Sequence, residues 1–131
     1  MRPGFLPPLS ATVSTVVTSD MVATLGGQKI HPVLATIRMI EWMEWAGRKL
    51  ILPYLEPDED AVGYRIDVVH KNPTAVGEEF FATATLLRVE GNRIITDVSA
   101  HNSRGVIGQG TFTQVLLPKS QLQSMIDQIQ S

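Results

Sequence analysis

The chain has no cysteine, which removes a disulfide framework, a thiol nucleophile and a thiolate metal site together. It has no excess of positive charge either. Eleven Lys and Arg against 13 Asp and Glu leave a net charge of −2. No run of basic residues offers a stripe that could track phosphates, so nucleic acid is not an expected partner. No apolar run approaches the ~20 residues needed to span a bilayer. The opening stretch, Met1 to Leu9, holds prolines rather than the apolar core of a secretory signal. With repeats and low-complexity tracts also missing, the expectation is a cytoplasmic globular protein with no membrane partner.

What remains is a 131-residue chain, 44% hydrophobic and 18% charged, long enough to bury one core. Residues 1–9 read as a flexible Pro-rich arm and residues 10–131 as a single domain. Ala11 to Thr18 alternate weakly and are rich in Val and Thr, which suits a strand. Ser19 and Asp20 can cap a short helical turn, Met21 to Leu25, that Gly26-Gly27 stops. Gln28 to His31 reads as a loop. A long helix is expected over Val33 to Leu52, since Pro32 suits a first turn and Pro53 ends it. The acidic run Glu56 to Asp60 is a solvated turn.

An alternating strand then leads to His70. Glu79 to Val89, Arg93 to His101 and Val106 to Leu117 are further strands, joined through Gly91-Asn92 and Ser103-Arg104-Gly105. Pro118 ends the last of them. A terminal helix, Lys119 to Gln130, lines Leu122, Met125, Ile126 and Ile129 along one side and should dock on something. One long helix followed by consecutive hairpin-linked strands implies an α+β fold with an antiparallel sheet wrapped on the helix.

Three polar residues stand out against this frame. The helix stripe reads Ile37, Ile40, Gly47 and Ile51, with Met43 and Leu50 alongside, and Glu44 falls inside it. At ~100° per residue Glu44 lies about 80° round from Thr36, so the two flank Ile40 on one inward side. The strand places Val62, Tyr64, Ile66, Val68 and His70 on the face toward the helix. A hydroxyl, a carboxylate and an imidazole then point into the layer between helix and sheet. A carboxylate in an apolar stripe is costly unless it is paired or used.

Taken alone, Thr36 could be an ordinary cap and His70 an ordinary edge residue. His31 and His101 have no such company and read as structural or surface. The three histidines lie too far apart for a metal site. Trp42 and Trp45 project outward, to be covered by the terminal helix or the arm.

The stretch A-T-I-R-M-I-E-W-M-E-W-A (Ala35 to Ala46), P-Y-L-E-P (Pro53 to Pro57) and V-x-H (Val68 to His70) resembles the fluoroacetyl-CoA thioesterases of the hot-dog fold. V-E-G-N-R, V-S-A-H and I-G-Q-G-T follow in the same order (Val89 to Arg93, Val98 to His101, Ile107 to Thr111). The resemblance covers roughly residues 10 to 117. It implies an acyl-CoA thioester hydrolase working as a homodimer or dimer of dimers, with Thr36, Glu44 and His70 as the catalytic set and no cofactor beyond the coenzyme A of the substrate. Gly63 matches a position whose backbone lines the acyl pocket, and Ile40 and Ile30 are expected to bind substrate with it. Ile30 stands where the family has a phenylalanine gate, so the activity class carries over better than the fluoroacetyl substrate.

Lys71 and Arg104 are the basic residues expected near the mouth, for the phosphates of coenzyme A. Two other readings stand beside this one: a non-catalytic acyl-CoA-binding or dimerisation module, and an enoyl-CoA hydratase of the same fold.

Overall fold

A computed structural model describes residues 1–130. In chain order the strands are β1 (Ser10–Val16), β2 (Val22–Leu25), β3 (Gln28–Leu34), β4 (Glu59–His70), β5 (Glu79–Glu90), β6 (Arg93–Asn102) and β7 (Gly105–Pro118). Helix α1 (Thr36–Ile51) separates β3 from β4, and α2 (Lys119–Gln130) closes the chain. Five strands form one antiparallel sheet in the order β1-β5-β6-β7-β4, and β2 and β3 make a separate hairpin. The sheet wraps α1 in the hot-dog arrangement, as the sequence led us to expect.

The core lies between α1 and the inner face of the sheet. Met39, Met43, Ala46, Leu50 and Ile51 of the helix meet Phe80, Ala82, Ala84 and Leu86 of β5 and Ile94, Val98 and Ala100 of β6. Small residues on the two central strands leave the room the helix occupies. Gly47 lets α1 approach β7: a Cβ there would lie 2.8 Å from two ring carbons of the buried Phe112. The Gln114 side chain, itself buried, donates to the Gly47 carbonyl at 3.1 Å. That bond satisfies a polar group that burial would otherwise leave costly.

Four local expectations are corrected. Helix α1 starts at Thr36 rather than Val33, because Pro32, Val33 and Leu34 finish β3. Proline is tolerated there because a two-stranded hairpin is all edge. Gly26-Gly27, both at positive φ, form the turn between β2 and β3. Met21 to Leu25 is therefore a short turn leading into a strand, and Gln28 to His31 is strand rather than loop.

The buried stripe of α1 is rotated from the one expected, onto Met39, Met43, Ala46 and Leu50, and this leaves Ile37 and Glu44 exposed. Tyr64 is not on the helix-facing side of β4. Gly63 pairs with Gln114 and Arg65 with Thr113, so Tyr64 is an extra residue in a bulge, and one extra residue inverts the alternation.

Residues 1–9, expected as an arm without structure of its own, carry no helix or strand but are tied to the end of α1. Phe5 is buried with its ring 5.2 Å from that of Tyr54. The Arg2 N–H donates to the Tyr54 carbonyl, and the terminal ammonium pairs with Glu59. Trp42 meets the Phe80 ring edge-on at 6.3 Å, while Lys49 lies over the exposed Trp45. Among the described residues none of α2 is buried, and Met125, Ile126 and Ile129, expected to dock, stay exposed.

Candidate active site

The start of α1 is built by the residues before it. The Ala35 N–H donates to the Met21 carbonyl, and the Ala35 carbonyl accepts from the Arg38 and Met39 N–H groups. Thr36 is the first helical residue, so its own N–H and that of Ile37 fall in the turn where no intrahelical acceptor exists. Its side chain turns toward the end of β4. There the Thr36 hydroxyl meets Nδ1 of His70 at 2.8 Å.

His70 is half-buried, and its Nε2 is shielded from solvent with no partner among the described residues. Burial holds the imidazole pKa below its ordinary 6.5, and a hydrogen bond to the Asn72 backbone opposes that shift only in part. The ring is therefore largely neutral at pH 7. Its position is fixed by the strand and by the loop that follows: the Lys71 and Asn72 N–H groups both donate to the Ile107 carbonyl.

Glu44 lies two helical turns on from Thr36. At ~1.5 Å per residue their Cα atoms are about 12 Å apart, with Ile40 midway. Glu44 is exposed, and its Oε2 comes within 3.5 Å of where a Gly63 Cβ would stand. Two hollows share it. One, of about 520 Å³, runs along α1 between Trp42 and Trp45. The other, of about 210 Å³, is floored by Gly63, Ile66 and Phe112.

The structure thus joins Thr36 to His70 and sets Glu44 beside Gly63. It does not bury all three in one seam, as expected from the sequence. The cause is the rotated stripe: Thr36, Ile40 and Glu44 run along the shoulder of the helix rather than its inner face.

The remaining residues fall apart in space. Ile30 is half-exposed on β3 in a separate hollow of about 300 Å³ with Val22, His31 and Val76. Arg104, expected at the mouth, makes a double contact with Glu78, and its Nη2 donates at 3.0 Å to the Pro73 carbonyl. The guanidinium holds the Glu78 carboxyl below its usual range. Arg104 therefore has little left to offer a phosphate. His101 stacks on Phe81 across the sheet at 5.2 Å, and His31 is exposed.

Sequence reading missed the Gln114–Gly47 bond and the guanidinium of Arg93 lying 4.9 Å over the Tyr64 ring. Both depend on strand register past a bulge, which no local pattern announces.

A family model described as "Fluoroacetyl-CoA-specific thioesterase" matches residues 17–120. The chain belongs to this family. The fluoroacetyl-CoA thioesterase of Streptantibioticus cattleyicolor is 41% identical over 85 residues, 65% of this chain. The chain spans 61% of that relative's length.

Among solved structures, a Thermus thermophilus protein described as a thioesterase superfamily member is 36% identical with a TM-score of 0.94, over 99% of this chain and 96% of the other. The fluoroacetyl-CoA thioesterase structure is 31% identical with a TM-score of 0.85, over 92% of this chain and 94% of the other. Variants of that enzyme have been solved with acetyl-CoA and with fluoroacetate and CoA.

Proposed function

We propose that this protein hydrolyses an acyl-CoA thioester to the free acid and coenzyme A, using Thr36, His70 and Glu44 and no further cofactor. The observation that carries the reading is the 2.8 Å contact between the Thr36 hydroxyl and Nδ1 of a desolvated, neutral His70 at the head of α1. Family membership supplies the reaction class.

A threonine hydroxyl is a weak nucleophile until a base accepts its proton. Nδ1 is placed to take it as Oγ1 attacks the thioester carbon. The first-turn N–H groups and the positive end of the helix dipole sit where negative charge on the carbonyl oxygen develops. The proton then leaves with the thiol of coenzyme A.

Glu44 makes no contact with His70, so it does not serve to orient the imidazole. A small acyl group laid over Ile40 would lie between Thr36 and Glu44, leaving the carboxylate to draw a proton from the water that attacks the acyl-threonine carbonyl; the acid departs as a proton returns to the Thr36 oxygen. The unpartnered Nε2 is a buried polar position that a bound substrate can satisfy. The working form is a homodimer or a dimer of dimers, and the compartment is the cytoplasm.

A panel of acyl-CoA thioesters from acetyl to medium chain, followed by thiol release, tests this reading. Turnover on at least one member is expected. Glu44→Gln and His70→Ala should each lower kcat by ~10² or more while the fold survives. No turnover by folded protein would overturn the reaction, and near-wild-type rates from both variants would overturn the residue assignment. Ligand binding without hydrolysis would favour the binding-module reading instead.

A further inference from the structure

The sheet carries a basin on its outer face, away from α1. Two bulges dish that face, one at Tyr64 on β4 and one at Leu87 on β5. The hollow between them holds about 470 Å³ and is lined by Tyr64, Arg65, Leu87, Arg88, Arg93 and Ile95, with Glu90 at the rim.

Three guanidinium groups thus face one carboxylate in a chain whose overall charge is negative. Arg88 is paired with Glu90. The Arg93 guanidinium carbon lies 4.9 Å from the Tyr64 ring centre and Nη2 reaches the Tyr64 hydroxyl at 3.4 Å, which leaves its other N–H groups free. Arg65 makes no ion pair among the described residues, although it is exposed on an edge strand. Asp67 and Asp97 face the same side and flank Thr111, which lines the end of the basin away from Arg93. They repel an anion from that end and confine it between Arg65 and Arg93.

The basin also connects with the candidate active site. Tyr64 and Arg65 line both this hollow and the one that holds Glu44 and Gly63. The bulge at Tyr64 is therefore where a ligand could cross the edge of β4 from the outer face to the inner. From Arg65 to His70 the strand runs about 16 Å at ~3.3 Å per residue, a span that suits an extended pantetheine arm.

We propose that this basin seats the phosphate-bearing nucleotide end of an acyl-CoA, with Arg65 and Arg93 gripping the phosphates and Leu87 and Ile95 offering the purine an apolar floor. Planar guanidinium forks suit phosphate oxygens better than a flexible ammonium does. The assignment rests on the acyl-CoA reading above. It replaces Arg104, whose fork is filled by Glu78, and Lys71 as the phosphate contacts.

Calorimetric titration of the full chain with coenzyme A, with pantetheine, which lacks the phosphates, and with adenosine 3′,5′-bisphosphate tests it. The ratio of affinities for coenzyme A over pantetheine should fall roughly tenfold in Arg65→Gln, and again in Arg93→Gln. It should stay as in the wild type in Lys71→Gln. Raising salt should erode the same ratio in the wild type.

An unchanged ratio in both arginine variants, with acyl-CoA turnover intact, would overturn the basin and leave the hydrolase reading standing. A drop confined to Lys71→Gln would also overturn it. Arginine-dependent binding of the bisphosphate by a protein that turns over no acyl-CoA would support an anion seat here while sinking the hydrolase.

Discussion

His70 is the residue whose chemistry is most constrained by its surroundings. Burial favours the neutral imidazole, so its folded pKa lies below the ordinary 6.5. The unfolded chain therefore takes up a proton first as the solution is acidified. The stability this group contributes is present above pH 6.5 and is lost as pH falls through the folded pKa. The same shift bears on catalysis, since Nδ1 can accept the Thr36 proton only while the ring is neutral.

The acid limb of kcat/KM should have its midpoint below 6.5, measured on the best substrate of the thioester panel. A midpoint at or above that value would mean the ring is not the desolvated base described above. Thr36→Ser should keep the limb, because the hydroxyl that faces Nδ1 is retained. Thr36→Val should abolish it along with most of the rate.

At the level of elements, the contact between α1 and β7 is set by a hydrogen atom. Alanine at position 47 would gain helix propensity worth ~1 kcal/mol. Its methyl, however, would sit 2.8 Å from two ring carbons of Phe112, which is only 3% exposed. Overpacking of that kind costs ~1–3 kcal/mol. Phe112 is not the loose end of a flexible side chain, so the clash should win, and Gly47→Ala should lower the thermal midpoint by several degrees. A rise in the midpoint would show that the ring can move aside.

The same elements show what the sequence made legible and what it hid. The hairpins at Gly91-Asn92 and Ser103-Arg104-Gly105, the long β5 to β7 strands and the terminal helix were readable, because turn chemistry and apolar alternation are local. The start of α1 was not: Pro32 fits a helix's first turn and an edge strand equally, and only the β2 partner decides between them. The rotated stripe had the same cause. Ile37 and Glu44 looked inward in a helix phased by isoleucines, whereas the sheet in fact accepts the methionines and small residues Met39, Met43, Ala46 and Gly47. The bulge at Tyr64 turned both Val62 and Tyr64 away from the helix, and nothing in the alternation Val62-Tyr64-Ile66 signals it. Thr36 and His70 were legible as a pair despite this, because Ile66, Val68 and His70 lie past the bulge and keep their phase.

For the whole molecule, the question is what covers the flank where this shoulder of α1 meets β4. Ile37 and Trp45 on the helix are 68% and 42% exposed, and Tyr64 on β4 is 59% exposed. Strand β4 is the last in the sheet, so one side of its backbone has no neighbour to bond. Glu44 stands on the same flank, open to solvent in a single copy. A second copy laid against this side would cover the apolar residues, pair the strand edge on either side of the Tyr64 bulge and exclude bulk water from the carboxylate. Closed two-fold pairing is the commonest way for a chain to do so.

Light scattering at micromolar concentration should give twice the 14.4 kDa chain mass, or four times if pairs associate further. Ile37→Glu with Trp45→Glu should shift the mass to that of one chain. Since both changes lie outside the buried core, far-ultraviolet dichroism should remain native-like in the same sample. A monomeric wild type across the concentration range would show that this flank is free, and Glu44 would then have to act in open water, where a carboxylate gains little from its setting.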